Sequence, residues 1–265
     1  MNSLLTEANL EAGITYWRNT KTKWEPDFHN AYYEKFNNRQ CTGLNEEWWE
    51  WMVHELRLWQ ASRPKTDAYF RERGRERLNK LQSARDRIFC AIEPQRPGLE
   101  NTNWTLLSEL YFCAKSIKNV DSPVFASKLC HFIIPNAFPI IDGEAIGFQN
   151  NDYARYWDFC QRQWLHCQAK EKLQSRLRML IGQQAVDCYP WSTKLTELCI
   201  IRKPKFCLVA FCTIQGHSNK RHRRSTDMVE HSMCNPAAVR SNRIGGITFQ
   251  EVSSLSHVRL VAISL

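Results

Sequence analysis

Helical periodicity runs almost unbroken along this chain as far as residue 201, and no stretch before residue 200 alternates apolar and polar residues as a half-buried strand would. Stop and start signals cut it into pieces. Asn45 is a candidate N-cap, with Trp48, Trp51, Met52, Leu56 and Trp59 on one stripe behind it, and the helix ends before Arg63-Pro64. A second helix begins near Asp67, buries Phe70, Leu78, Leu81, Ile88 and Ile92, and stops before Pro94. A third runs from about Trp104 to Ile117. Ser122-Pro123 combines an N-cap with a proline at the first helical position, opening an apolar helix that Pro135 closes. Asp152 caps one long amphipathic helix carrying Tyr156, Phe159, Trp164, Leu173, Leu177 and Leu180, with Gly182 as its end. Ser192 caps Thr193 to Ile201. The expectation is an all-α body over residues 1–201, without internal repeats.

Beyond residue 201 the periodicity fails and the charge changes. The chain of 265 residues carries a net charge of +9. Residues 201–265 hold ten Lys/Arg against three Asp/Glu, so most of that charge belongs to the last quarter. Residues 202–265 therefore read as a basic, poorly patterned segment that suits a polyanion or is simply a solvated tail. No apolar run reaches the length of a membrane span, and Met1 to Glu11 lacks the layout of a signal peptide, so a cytoplasmic protein without membrane contact is expected. Eleven cysteines, an odd number, argue against a disulfide framework. Cys90, Cys113 and Cys130 read as small buried hydrophobes. Cys207, Cys212, His217 and His222 are spaced too evenly for the fold-back a zinc finger needs, so no metal and no cofactor is expected.

The stretch Ser122 to Ile146 is where the residue types point to chemistry. Lys128 lies in the first turns of an apolar helix, and Asp142 follows Pro139-Ile140-Ile141, directly before a possible short helix from Glu144 to Phe148. A carboxylate among such neighbours must be paired, hydrogen-bonded or neutralised. At a helix N-terminus its ionised form is favoured, giving a preorganised negative charge that can stabilise a positive transition state. A purely structural N-cap is the other reading of Asp142, and a lysine whose stem lies along apolar neighbours is the other reading of Lys128.

This segment resembles the helix-hairpin-helix DNA glycosylase superfamily. Pro123, Phe125, Ala126 and Lys128 stand at the proline, apolar, small and lysine positions of its hairpin. Ile140-Ile141-Asp142 stands where that family has an apolar pair and its catalytic aspartate, while Val124 and Ala126 replace the hairpin glycines. The resemblance implies an all-α fold acting on double-stranded DNA, flipping a modified or damaged base and hydrolysing its N-glycosidic bond, in repair or in defence against phage with modified DNA. It implies Asp142 as the group stabilising the oxocarbenium-like sugar, and Lys128 as a second catalytic candidate able to form a Schiff base. Ser127, Lys128, Arg155 and Lys194 are the candidate DNA contacts. Trp48, Trp49, His131, Tyr153, Tyr156 and Trp157 are the candidates for a base pocket, since neighbouring Trp48 and Trp49 point about 100° apart and are not expected to face one core together.

Two other functions remain open on the sequence. One is a non-enzymatic helical protein binding nucleic acid through its basic C-terminal segment. The other is a helical ribonuclease-type toxin using Arg162 and His166, one turn apart and without an evident acidic partner.

Overall fold

A computed structural model describes residues 3–19, 28–40, 43–61, 67–118, 122–141 and 152–201, and everything reported of the structure concerns these residues. Asp142, the possible helix after it, the Cys207–His222 quartet and the basic segment 202–265 lie outside them. The described residues are all-α. Their helices are α1 (Glu7–Arg18), α2 (Asn30–Gln40), α3 (Glu46–Leu58), α4 (Asp67–Ile92), α5 (Trp104–Lys115), α6 (Pro123–Ile133), α7 (Tyr153–His166), α8 (Lys170–Ile181) and α9 (Trp191–Ile200). No helix among them is long and apolar enough to cross a membrane.

Most boundaries follow local chemistry. The Asn45 side chain accepts from the Trp48 amide at 2.8 Å, Ser122 accepts from Phe125, and Asp152 accepts from Arg155, so three of the four anticipated caps form. α4 ends before Pro94 and α8 ends at Gly182. Two expectations need correction. The long helix after Asp152 is two helices, broken at Cys167–Ala169 with no proline or glycine in the break. Tertiary contacts account for the turn: Cys167 is buried, and α8 turns to lie on α1, where Arg176 meets Glu11 at 2.8 Å and Leu173 and Leu177 are enclosed. Ser192 does not cap α9. The helix starts at Trp191, two residues before the expected Thr193, and the Ser192 hydroxyl donates to the Asn136 carbonyl at 3.0 Å.

Packing is close enough to use glycine as a spacer. α1 lies on α9 and α4 on α3, while α5 joins α4, α6 and α7. At Gly74 of α4 an added Cβ would fall 1.8 Å from the Trp49 ring, so this face of α4 accepts the indole only because no side chain stands there. The indole N–H then donates to the Arg71 carbonyl at 2.9 Å. Trp48 and Trp49 are both buried, at 2% and 0% exposure, correcting the view that one must face outward. α3 is flanked by α4 and by α6, so its buried arc is wider than a single stripe. Cys130 is buried as expected, but Cys90 is exposed on α4.

Candidate functional site

The segment between α6 and the undescribed residues is irregular and buried, so each of its backbone groups must find a partner other than a helix or sheet ladder. Side chains of three helices supply them. The carbonyl of Pro135 accepts from the Thr193 hydroxyl at 2.9 Å, and that of Asn136 from Ser192 and from the Leu99 amide. Ala137 accepts from the Trp157 indole N–H at 2.7 Å, and Phe138 from His131 Nδ1 at 2.8 Å. Pro139 accepts from the Tyr153 hydroxyl at 2.7 Å, and Ile140 from the Tyr156 hydroxyl at 2.9 Å. Six consecutive carbonyls thus have side-chain donors, from α6, α7 and α9. The Ile140 amide donates to Glu197 Oε1 at 2.6 Å and the Ile141 amide to Ser127 Oγ at 3.2 Å. The chain is therefore held rigidly up to the residue before Asp142.

Charges gather at the end of this cradle. Glu197 Oε2 accepts from the Lys194 ammonium at 2.9 Å, with both side chains about seven-eighths buried (14% and 13% exposed). The Lys194 ammonium also lies 5.6 Å from the centre of the Trp59 ring, within cation–π range. The Lys128 ammonium donates to the Trp59 carbonyl at 2.6 Å. Burial pushes the Glu197 carboxyl upward, opposed by Lys194, by the Ile140 amide and by Lys128. The opposing partners keep a carboxylate useful here, because each stabilises its charged form. Two ammonium groups, those of Lys194 and Lys128, act on the one buried carboxylate of Glu197.

A half-buried aromatic face adjoins these lysines. Trp17 and His29 stack at 5.8 Å and 13°, and His29 lies 5.4 Å from Trp59. His29 adopts φ +50°, a left-handed conformation uncommon for a residue with a Cβ. Strain of that kind gathers at functional positions.

The structure separates the sequence candidates into two groups. Lys128 and Lys194 come together, sharing Trp59 and Glu197. Ser127 is wholly buried, its Oγ held between the Val124 carbonyl and the Ile141 amide, so it positions the segment and is corrected as a DNA contact. The base-pocket assignment of Trp48, Trp49, His131, Tyr153, Tyr156 and Trp157 is likewise corrected: all are core residues at most 2% exposed. His131 is satisfied on both ring nitrogens, Nδ1–H donating to Phe138 and Nε2 accepting from the Tyr33 hydroxyl at 3.0 Å. Burial, with Lys194 nearby, holds its pKa well below the ordinary range, so the ring is neutral. Arg155 is exposed and pairs with Asp152 at 3.4 Å; among the described residues no contact joins it to the lysine cluster. No known protein family, curated protein or solved structure matches this chain.

Glu197, Trp17 and His29 escaped the sequence reading. Glu197 did leave a trace: it shares a helical face with Thr193 and Ile200, so a charge lies on a stripe that is otherwise buried. Trp17 and His29 left none, because their meeting depends on how α1 and the start of α2 pack. Arg162 and His166 belong elsewhere. Arg162 pairs with Asp158 at 2.6 Å on the surface of α7, supplying the acidic partner not evident in the sequence, and His166 Nδ1 donates to the Arg162 carbonyl. Both interactions are local to one helix, which is what a structural helix end requires.

Proposed function

We propose that this protein is a DNA glycosylase of the helix-hairpin-helix type, removing a modified or damaged base by hydrolysis of its N-glycosidic bond, in repair or in defence against phage with modified DNA. The observation that carries the reading is the cradle: α6, α7 and α9 commit eight side chains to fixing residues 135–141, the run that delivers Asp142. A carboxylate that must stabilise a developing oxocarbenium ion gains from such preorganisation, since no reorganisation is then needed as charge develops. The two lysines that meet at Trp59, Lys128 and Lys194, support a phosphate-facing surface beside it. The Trp59 ring supports a stacking wall for an extruded base, in place of the six core residues.

In this reading Asp142 stabilises the sugar cation and orients the attacking water. Lys128 holds the DNA backbone as an ammonium, because it is already donating to the Trp59 carbonyl. Attack on the sugar would require the ammonium to lose a proton and its lone pair to turn toward the sugar carbon. The chemistry expected is therefore base release without a Schiff base.

Duplexes carrying a panel of modified bases, incubated with the full chain and then treated with alkali, test this. Strand breaks at the modified position are expected with the native chain and not with Asp142→Asn. Borohydride should trap no covalent adduct. Breaks that persist in Asp142→Asn, or no break on any substrate, would remove the assignment and favour non-enzymatic binding.

A further inference from the structure

One opening in the body is lined by no member of the lysine cluster. It is a cavity of about 640 Å³ between α2, α4, the turn at Arg96-Pro97 and the start of the cradled segment. That volume is within the roughly 300–1,000 Å³ of small-ligand sites. Its walls combine three kinds of group. Phe89 gives aromatic surface, Arg85 and Arg96 give guanidinium groups, and Asn37 and Asn136 give amides. None of the described lining residues is acidic.

Of the polar groups there, the Gln82 side chain accepts from the Leu44 amide and donates to Asp86, and the Tyr33 hydroxyl donates to His131, whereas three others are not consumed by the fold. Among the described residues, the side-chain amides of Asn37 and Asn136 make no hydrogen bond, and the exposed Arg96 has no carboxylate partner. The Arg96 charge acts on the Cys188 thiol, also in the lining, where it opposes the upward push of burial; Glu34 and Asp187 act on the same thiol without lining the cavity. Arg85 lies 4.8 Å over the Phe89 ring and touches Asp86 at 3.3 Å, so it is held flat against the wall. A planar guanidinium matches a phosphate with paired N–H donors, and an asparagine amide matches the donor and acceptor edge of adenine.

We propose that this cavity binds a purine nucleoside monophosphate, its phosphate on Arg96 and its base beside Phe89, with Asn37 and Asn136 reading the base edge. The site stands independently of the glycosylase assignment, since none of its lining residues belongs to the Lys128–Lys194–Glu197 cluster.

Titration calorimetry on the full chain tests it, with 2′-deoxyadenosine 5′-monophosphate, deoxyadenosine and inorganic phosphate as separate probes. The monophosphate is expected to bind saturably and at least tenfold more tightly than either fragment. Arg96→Gln should weaken it about tenfold, the loss of a charge-assisted contact. Arg87→Gln, on the same helix as Arg85 but paired with Glu109, should leave it unchanged, as should Lys128→Gln. Equal binding of phosphate alone or of deoxyadenosine alone would overturn the proposal. So would no saturable heat at about 1 mM ligand, the weak edge of a specific site. A tenfold loss in Arg87→Gln would assign the effect to general charge, and one in Lys128→Gln would move the ligand to the other cluster; either overturns it.

Discussion

His131 shows at the scale of one residue why a titratable group in the right stretch need not be chemical. Its two ring nitrogens are occupied by a carbonyl and a tyrosine hydroxyl, and its pKa is held well below the ordinary 6.5. The unfolded chain takes up a proton as pH falls below 6.5, and the folded one does not, so the stability this residue contributes is present above 6.5 and is lost as pH falls. The loss should approach about 1.4 kcal/mol per pH unit until the folded pKa is reached. Urea unfolding at neutral and mildly acidic pH checks this: the native chain should weaken more steeply with acid than His131→Gln. Equal slopes would mean that the ring is protonated in the fold.

Between helices, the decisive contacts are those where one element accommodates a specific side chain of another. Trp49 against Gly74 is such a joint. Replacing Gly74 with Ala improves intrinsic helix propensity by about 1 kcal/mol. It also drives a Cβ into a ring that is fully buried and hydrogen-bonded to Arg71, so the ring cannot swing aside. Overpacking of this kind costs about 1–3 kcal/mol. The packing term wins, and Gly74→Ala should lower the unfolding free energy by up to about 2 kcal/mol in urea titration. A stabilised variant would show that α3 and α4 can move apart freely. The same scale explains the split after Cys167: α7 and α8 carry one continuous amphipathic pattern, yet α8 turns to reach α1 because Glu11 and the apolar face of α1 are there to receive it.

Across the whole molecule, the cradled segment 135–141 is a joint between α6, α7 and α9. Its amides should exchange with solvent only when the body unfolds, because opening it alone would break bonds to three helices at once. Hydrogen exchange is expected to give Ile140 and Ile141 protection equal to that of α6. Glu197→Gln should speed Ile140 selectively by weakening a charge-assisted acceptor. Exchange of Ile140 and Ile141 at the rate of an exposed loop would leave Asp142 without a fixed support, and the catalytic reading would go with it.

Sequence by itself determined the helical class, the caps at Asn45, Ser122 and Asp152, and the stops at Pro94 and Gly182, because these depend on neighbours within a few residues. It also singled out Lys128 and Lys194, though not that they meet at Trp59. Tertiary structure decided the rest. Two adjacent tryptophans are buried because two helices flank α3, and tyrosines after Asp152 hold a backbone segment because their hydroxyls reach carbonyls 14 and 16 residues away in the chain. Glu197 became a buried partner of two lysines only when α9 packed under the segment it supports. Pattern reports which side of a helix is apolar; what that side meets is fixed only when the helices come together.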